Sequence, residues 1–469
     1  MDNHIEKNVR PFGLRDKLGY MFGDFGNDFT FIFASSWLMI FYTKVLGIEP
    51  GAVGVLFLVA RCVDAFTDVG MGRLVDRMRP GKDGRFKSWV RWIAGPVAIS
   101  SFLMYQSGLA GAPMALKMVY MYVTYLLWGS VFYTAINIPY GSMASAISED
   151  PKDRSSLSVF RTVGATLASL IIGVGGPLLV YSTDAAGNQV VVGSRMTVIA
   201  GVFSVCAIIC YILFYKMTTE RVKTEPRPDA NRVTLGQTFS AIFRNRALLA
   251  IIGAAIGLLL SQLMSQSMNN YLFQDYFKNT NSLSVINFIS TGVTLLIATF
   301  VTPLTRRIGK KEAAAAAMIL AGASYILLFF MRVTNPYVYI AVSVGGYIGI
   351  GVFNLVIWAN ITDVIDYQEV MTRQRDDGTV YAVYSFARKI GQALAGGLSG
   401  FALGAIGYDS LAHAQTEAVN NGIYSVTTLV PGICFLAVAV ILIFAYPLSK
   451  RKVEENTEIL QKRRESETE

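Results

Sequence analysis

Residues 58–72 read LVARCVDAFTDVGMG and place Arg61, Asp64 and Asp68 in an otherwise apolar run. On a helix, the spacing i, i+3, i+7 puts all three on one face. A carboxylate at the middle of a membrane helix costs roughly 2.5–3.5 kcal/mol on insertion scales, so two on one face need a reason. Two carboxylates one turn apart in a low dielectric call for something positive between them: a proton, Na⁺ or a basic side chain. A buried structural ion-pair network is the plainer alternative.

The rest of the chain makes this a membrane helix. Its 469 residues are 53% hydrophobic and 16% charged, with a mean hydropathy of +0.44. Apolar segments near the ~20 residues needed to cross a hydrocarbon core recur along the whole length. The fold class expected is an all-α polytopic membrane protein. Twelve transmembrane helices are expected at about 20–44, 51–75, 90–108, 117–142, 158–181, 196–217, 247–276, 283–305, 313–331, 337–362, 383–407 and 423–447. The opposite loops hold only Lys44, Lys117, Arg195, Lys278 and Arg332, and Arg61, Arg388 and Lys389 lie inside spans; the rest of the 41 Lys and Arg fall on one side. By the positive-inside rule both termini are then cytoplasmic, in a cell membrane. The charged N-terminus shows no signal-peptide pattern.

The net charge of +9 sits in these loops and gives no indication of a nucleic-acid partner. Cys62, Cys206, Cys210 and Cys434 lie in apolar segments without histidine or carboxylate companions, and read as small core residues. No metal centre, no cofactor site and no nucleophile–base constellation is expected, so the chain does not read as an enzyme.

The polar midpoint divides the chain. The expected parts are a six-helix half over 1–217, a middle loop over 218–245, a second half over 246–448, and a charged tail over 449–469 read as a frayed helix. The halves echo each other. FRTVGATLAS at 160–169 aligns with ARKIGQALAG at 387–396, so that Arg161 meets Arg388 and Gly164 meets Gly391. Two parallel pseudo-symmetric halves of this kind are the major facilitator arrangement, with substrate near the midplane.

Polar side chains mark the interior. Span 1 carries Asp24 and Asp28 one turn apart, with Asp28 the deeper candidate. Span 4 carries Tyr133, Thr134, Asn137 and Tyr140 on one face, with Pro139 among them. Span 5 opens with Arg161. Span 7 has Gln262, Gln266 and Asn270, equally readable as interhelical hydrogen-bond partners. Span 10 has Asn354 and Trp358, and span 11 has Ser385, Arg388, Lys389 and Gln392. Gly396, Gly397, Gly400 and Gly404 read as a small-residue packing seam.

Several motifs together carry a family resemblance. These are GDFGND (23–28), RCVDAFTD (61–68), GRFKSW (84–89), YTAINIPYGS (133–142), DRSSLSVFR (153–161), TDVIDYQE (362–369) and KIGQALAG (389–396). The chain resembles the glycoside–pentoside–hexuronide:cation symporter family over all twelve spans, and looks most like its glucuronide and pentoside carriers. That resemblance implies symport of a glycoside with H⁺ or Na⁺, by alternating access, with no obligate protein partner. It implies a cation site of Asp64, Thr67, Asp68 and Thr134. It implies a sugar site of Asp28, Tyr133, Asn137, Arg161, Trp358, Lys389 and Gln392, with Arg61 and Arg388 as charge partners. Asn137 stands where melibiose-type members have a carboxylate, and Thr67 where they have an amide; the second change favours H⁺ over Na⁺. Asp76, Arg77, Asp363, Asp366 and Glu369 are the expected cytoplasmic gate. Counting Asp28, Asp64 and Asp68 against Arg61, Arg161, Arg388 and Lys389 leaves one positive charge in excess, which favours an anionic sugar. A lipid or lysolipid mover of the same fold, or a membrane sensor without transport, are the other classes considered.

Overall fold

The computed structural model describes residues 10–77, 84–222, 245–373 and 377–468. In chain order the first half contains α1 (Leu14–Ile40), α2 (Pro50–Arg77), α3 (Phe86–Leu103), α4 (Met114–Leu126), α5 (Thr134–Ile147), α6 (Pro151–Leu170), α7 (Gly176–Val180) and α8 (Gly193–Met217). A seven-residue π-helical stretch, Leu127–Tyr133, joins α4 to α5, and a shorter one, Ile171–Gly175, joins α6 to α7. A small hairpin, β1 (Tyr181–Thr183) with β2 (Gln189–Val191), precedes α8. The second half contains α9 (Arg246–Tyr271), α10 (Asn281–Ile308), α11 (Lys310–Met331), α12 (Pro336–Thr372), α13 (Asp377–Ala405), α14 (Glu417–Val440) and α15 (Lys450–Thr468). Counting α4–α5 and α6–α7 as single spans, the described residues contain twelve membrane-length segments followed by α15. Eight are apolar enough by composition alone to cross a membrane. Of the others, α1, α2 and α13 hold the charged residues singled out above.

Local chemistry sets where the helices begin and end. Asp150, Asn245, Asn335 and Thr416 each accept a backbone N–H in the first turn of the helix that follows. Pro50, Pro151 and Pro336 open their helices, where a missing N–H costs nothing. Gly309 ends α10 at φ 102°, a conformation that a β-carbon would strain. Inside α5, Pro139 cannot bond the Ala135 carbonyl one turn back. The Trp89 indole donates to that carbonyl at 2.5 Å, so the break is repaired by a neighbouring helix.

The contacts divide the chain into two compact units. Unit 1 comprises Met1–Ile48, Val59–Ser182 and Val191–Ala230; unit 2 comprises Glu49–Leu58, Thr183–Val190 and Asn231–Glu469. In unit 1, α1 packs on α6 and α8, and α3 on α5 and α8. In unit 2, α9 packs on α13 and α14, and α11 on α12 and α14, which repeats the pattern six spans later. The aligned glycines sit at equivalent crossings. A β-carbon on Gly164 would stand 2.7 Å from the Met21 carbonyl oxygen of α1, and one on Gly391 would stand 3.1 Å from Leu259 Cβ of α9. Gly164→Val should therefore separate α6 from α1 and cost about 1–3 kcal/mol by overpacking, read as a lower melting temperature in detergent. Gly391→Ala, facing a side chain, should cost less; equal losses would mean the two crossings are not built alike. The α13 seam is filled within unit 2: Gly396 and Gly397 face Phe57 and Leu58 of α2, and Gly400 faces Gly54. The unit 2 core includes Ile251, Leu258, Met318, Tyr325, Phe353 and Phe435.

Helix ends in unit 1 are tied by the segment after α8. The buried Asp16 carboxylate meets Arg10 at 2.7 Å and Arg221 at 2.8 Å. Glu220 accepts the first N–H groups at the start of α3, from Arg85, Phe86 and Lys87, at 2.7, 2.9 and 2.6 Å. Gly84, at φ 109°, leaves room for that carboxylate. Burial raises the Glu220 pKa, while the three N–H groups pull it down. The net shift is upward, so the folded chain holds this proton more tightly than the unfolded one. Its contribution is full below the ordinary glutamate pKa and fades as pH rises through the folded value. Glu220→Gln should flatten the melting temperature against pH across that window.

The tail departs from expectation. It is a docked helix rather than a frayed one. Lys450 Nζ donates to the Arg306 and Arg307 carbonyls at the end of α10, at 3.0 and 3.2 Å. Arg463 donates to the Glu369 and Val370 carbonyls near the end of α12 at 3.4 and 3.3 Å, and Leu460 is buried. Carbonyls left over at helix C-termini attract cations, which gives a highly charged segment a place to bind.

Candidate functional site

Two clusters stand out in unit 1, and both are built on the span 4 segment. The first lies between α2 and the π-helical stretch. Ser130 Oγ donates to Asp64 Oδ1 at 2.5 Å, and Thr134 Oγ1 donates to Asp68 Oδ1 at 2.8 Å. The two carboxylates are one turn apart on α2, and their hydroxyl partners are one turn apart on the facing segment. Spans 2 and 4 run in the same direction, so equal spacing puts both pairs in register. The π-helical turns end at Tyr133, directly before Thr134; such irregular turns frequently mark functional sites. Arg61 Nη1 also reaches Asp64, at 3.0 Å. Asp64 is thus held by a guanidinium and a hydroxyl. Thr67 Oγ1 donates back to its own helix at the Asp64 carbonyl, 3.3 Å away, which leaves its lone pairs as its only further hydrogen-bonding capacity.

The second cluster joins α1, α5 and α6. Arg161 Nε donates to Asp24 Oδ1 at 2.8 Å. The Arg161 guanidinium lies over the Tyr140 ring, 5.4 Å from its centroid, and that ring stacks on Tyr20 at 4.7 Å. Tyr140 OH is anchored on the Tyr20 carbonyl at 2.9 Å. Gly23 makes room for the Tyr140 ring against α1. Asn27 is buried and accepts from Tyr211 at 2.7 Å. Asp28 is half-buried and makes no hydrogen bond or ion pair among the described residues; Asp24 and Arg161 are its charged neighbours. Tyr133 stacks on Phe31 at 5.3 Å. It lies within Coulombic reach of Asp24, Asp28 and Arg161 on one side and Arg61 on the other, so it sits between the clusters. Asn137 is half-buried.

The residues expected in the second half lie in unit 2. Trp358 meets Tyr384 edge-on at 5.2 Å, and Arg388 lies over it at 5.8 Å. Arg388 is thereby placed on an aromatic face. Lys389 and Gln392 are half-buried on α13. Asn354 donates to Gln262 at 3.3 Å, an interhelical pair. Lys310 pairs with Asp363 at 2.6 Å, which ties the start of α11 to α12. Asp366 and Glu369 lie further along α12. The side chains of Asp76 and Arg77 lie outside the described residues.

Ser130 and Tyr20 were missed by sequence reasoning, and Asp24 was ranked below Asp28. Ser130 was findable, because it precedes Thr134 by the same interval that separates Asp64 from Asp68. Asp24 was not, since nothing in the sequence says which of two aspartates Arg161 would choose.

The family described as MFS/sugar transport protein matches residues 19–450. The chain belongs to that family. Among its relatives is the glucuronide carrier protein homolog of Escherichia coli (strain K12), 31% identical over 94% of this chain and 94% of the relative. Another is the isoprimeverose transporter of Lactiplantibacillus pentosus, 30% identical over 94% of this chain and 90% of the relative. Among solved structures, a bacterial homologue of the iron transporter ferroportin in an inward-facing state superposes with a TM-score of 0.65. It is 12% identical and covers 92% of this chain and 98% of that one, a likeness of fold alone. This MFS/sugar transport family member is a multi-pass membrane transporter and not an enzyme.

Proposed function

We propose that this protein is a secondary active transporter that couples movement of a glycoside to a cation, H⁺ in preference to Na⁺, by alternating access. The observation that carries the reading is the in-register pairing of Asp64 with Ser130 and Asp68 with Thr134, in the same unit that presents Asp28. The sugars in the relatives' names support a glycoside as cargo. In this reading Asp68, Thr67 and Thr134 receive the cation beside an Asp64 already neutralised by Arg61. Within unit 1, Asp28, Asn137 and Tyr133 offer hydrogen bonds to sugar hydroxyls. Tyr133, between the clusters, links occupancy of one to the shape of the other. Sugar and cation then raise each other's affinity by the same factor, as linkage requires. Only the empty or doubly loaded carrier changes face readily, because other states leave charge uncompensated in a low dielectric. Both termini lie in the cytoplasm, where the Lys310–Asp363 pair belongs to the gate.

The test is uptake of labelled β-xyloside and β-glucuronide into proteoliposomes under an imposed pH gradient, then an imposed Na⁺ gradient. Accumulation driven by the pH gradient is expected. Uptake that only equilibrates under both gradients would overturn cation coupling.

A further inference from the structure

We propose that the sugar site of unit 1 selects neutral glycosides and turns away sugars bearing a carboxylate or sulfonate, with Asp28 making the choice. This deepens the sugar-transport reading and rests on it. The decisive fact is how the charges are already spent. Within unit 1, Arg161 lies within Coulombic reach of Asp28, and its charge is shared with Asp24: its Nε bonds that carboxylate at 2.8 Å, and its guanidinium lies over the Tyr140 ring. Arg61 is committed to Asp64 at 3.0 Å. The excess positive charge read from the sequence arose because Asp24 was left out of the count; including it brings the set to balance. What remains unspent is Asp28, half-buried, with no hydrogen bond or ion pair among the described residues.

An ionised carboxylate offers about four lone-pair sites and no proton. It accepts from sugar hydroxyls and repels a second anion. A carboxylate or sulfonate group is best held by a guanidinium fork whose charge is not already offset; Asp24 takes the Nε edge of Arg161 and offsets the charge behind its remaining N–H groups. The remaining polar neighbours do not supply a charge. Asn27 accepts from Tyr211 through Oδ1 at 2.7 Å and its buried Nδ2 is unbonded; Asn27, Asn137 and Tyr133 are all neutral. An anionic sugar here would stand beside Asp24 and Asp28 with one shared cation; a neutral pyranoside would find an acceptor for its hydroxyls.

The test is calorimetric binding, at pH 7.5, of methyl β-pyranosides to the purified full-length transporter. The xyloside, glucoside and galactoside are compared with the glucuronide and galacturonide, and each uronide with its uncharged uronamide. At least one neutral sugar should bind ten-fold or more tighter than its uronide, equivalent to about 1.4 kcal/mol, and the uronamide should recover most of the difference. Asp28→Asn should shrink the gap to under about three-fold. Asp24→Asn, which frees Arg161, should also shift the ratio toward the uronide, and it keeps the question answerable if Asp28→Asn binds no sugar. A uronide that binds the wild type as tightly as its neutral partner, whichever cation holds it, overturns the proposal, as does a ratio unchanged in Asp24→Asn. Failure of every pyranoside to bind, acidic or neutral, would instead overturn the sugar-transport reading itself.

Discussion

Asp68→Cys is expected to abolish concentrative sugar uptake while leaving sugar exchange measurable. The two aspartates of α2 are not equivalent. Asp64 is met by Arg61 at 3.0 Å and by Ser130 at 2.5 Å, so its charge is compensated within the fold. Asp68 accepts the Thr134 hydroxyl at 2.8 Å, from the helix that follows the π-helical turns. In the proposed mechanism the coupling cation is received at Asp68. A potential of 100 mV contributes about 2.3 kcal/mol per charge, so one coupled cation supports an accumulation ratio of roughly 50-fold. Without Asp68 that ratio should fall to about one, while counterflow of unlabelled for labelled sugar continues because the sugar cluster is intact. Asp64→Asn should behave differently, since it strands Arg61 in the membrane and should lower the yield of folded protein. Uphill transport retained by Asp68→Cys would refute the assignment of the cation site.

Arg161→Gln should cost both stability and sugar binding. It removes the cation from a 2.8 Å pair with Asp24, whose carboxylate is buried, and leaves two carboxylates one turn apart without a counter-charge. Breaking a buried pair from one side costs roughly 3–5 kcal/mol; the half-exposed guanidinium places this case near the lower end. A melting temperature lower by on the order of 3 °C in detergent is expected. The double variant Arg161→Gln with Asp24→Asn removes both charges and should restore most of the melting temperature, while sugar binding stays weak because the Tyr140 platform has lost its guanidinium. Additive losses in the double variant would show that the two residues do not act as a pair.

Some of this was legible in the chain itself. Hydropathy and loop charge are properties of composition, and they identified twelve spans and a polytopic membrane protein without a contact map. The one-turn spacings of Asp64 with Asp68 and of Asp24 with Asp28 were equally plain, since a helix fixes which residues share a face. The repeat of FRTVGATLAS in ARKIGQALAG pointed to two related halves, and the structure adds that the aligned Gly164 and Gly391 sit at equivalent crossings. The tail was misread, because a run of charges looks solvated until the free carbonyls at the ends of α10 and α12 are seen beneath it.

Partner choice was beyond the sequence. It determined that acids and bases lie within the membrane, since their expense there is local and additive. Only the tertiary structure decided that Arg161 takes Asp24 and not the aspartates of α2, that Ser130 joins Asp64, and that Asp28 is left over. Pairing depends on which helix faces meet and at what height, and that is set by packing between segments that lie 66 residues apart for Ser130 and Asp64 and 137 apart for Arg161 and Asp24.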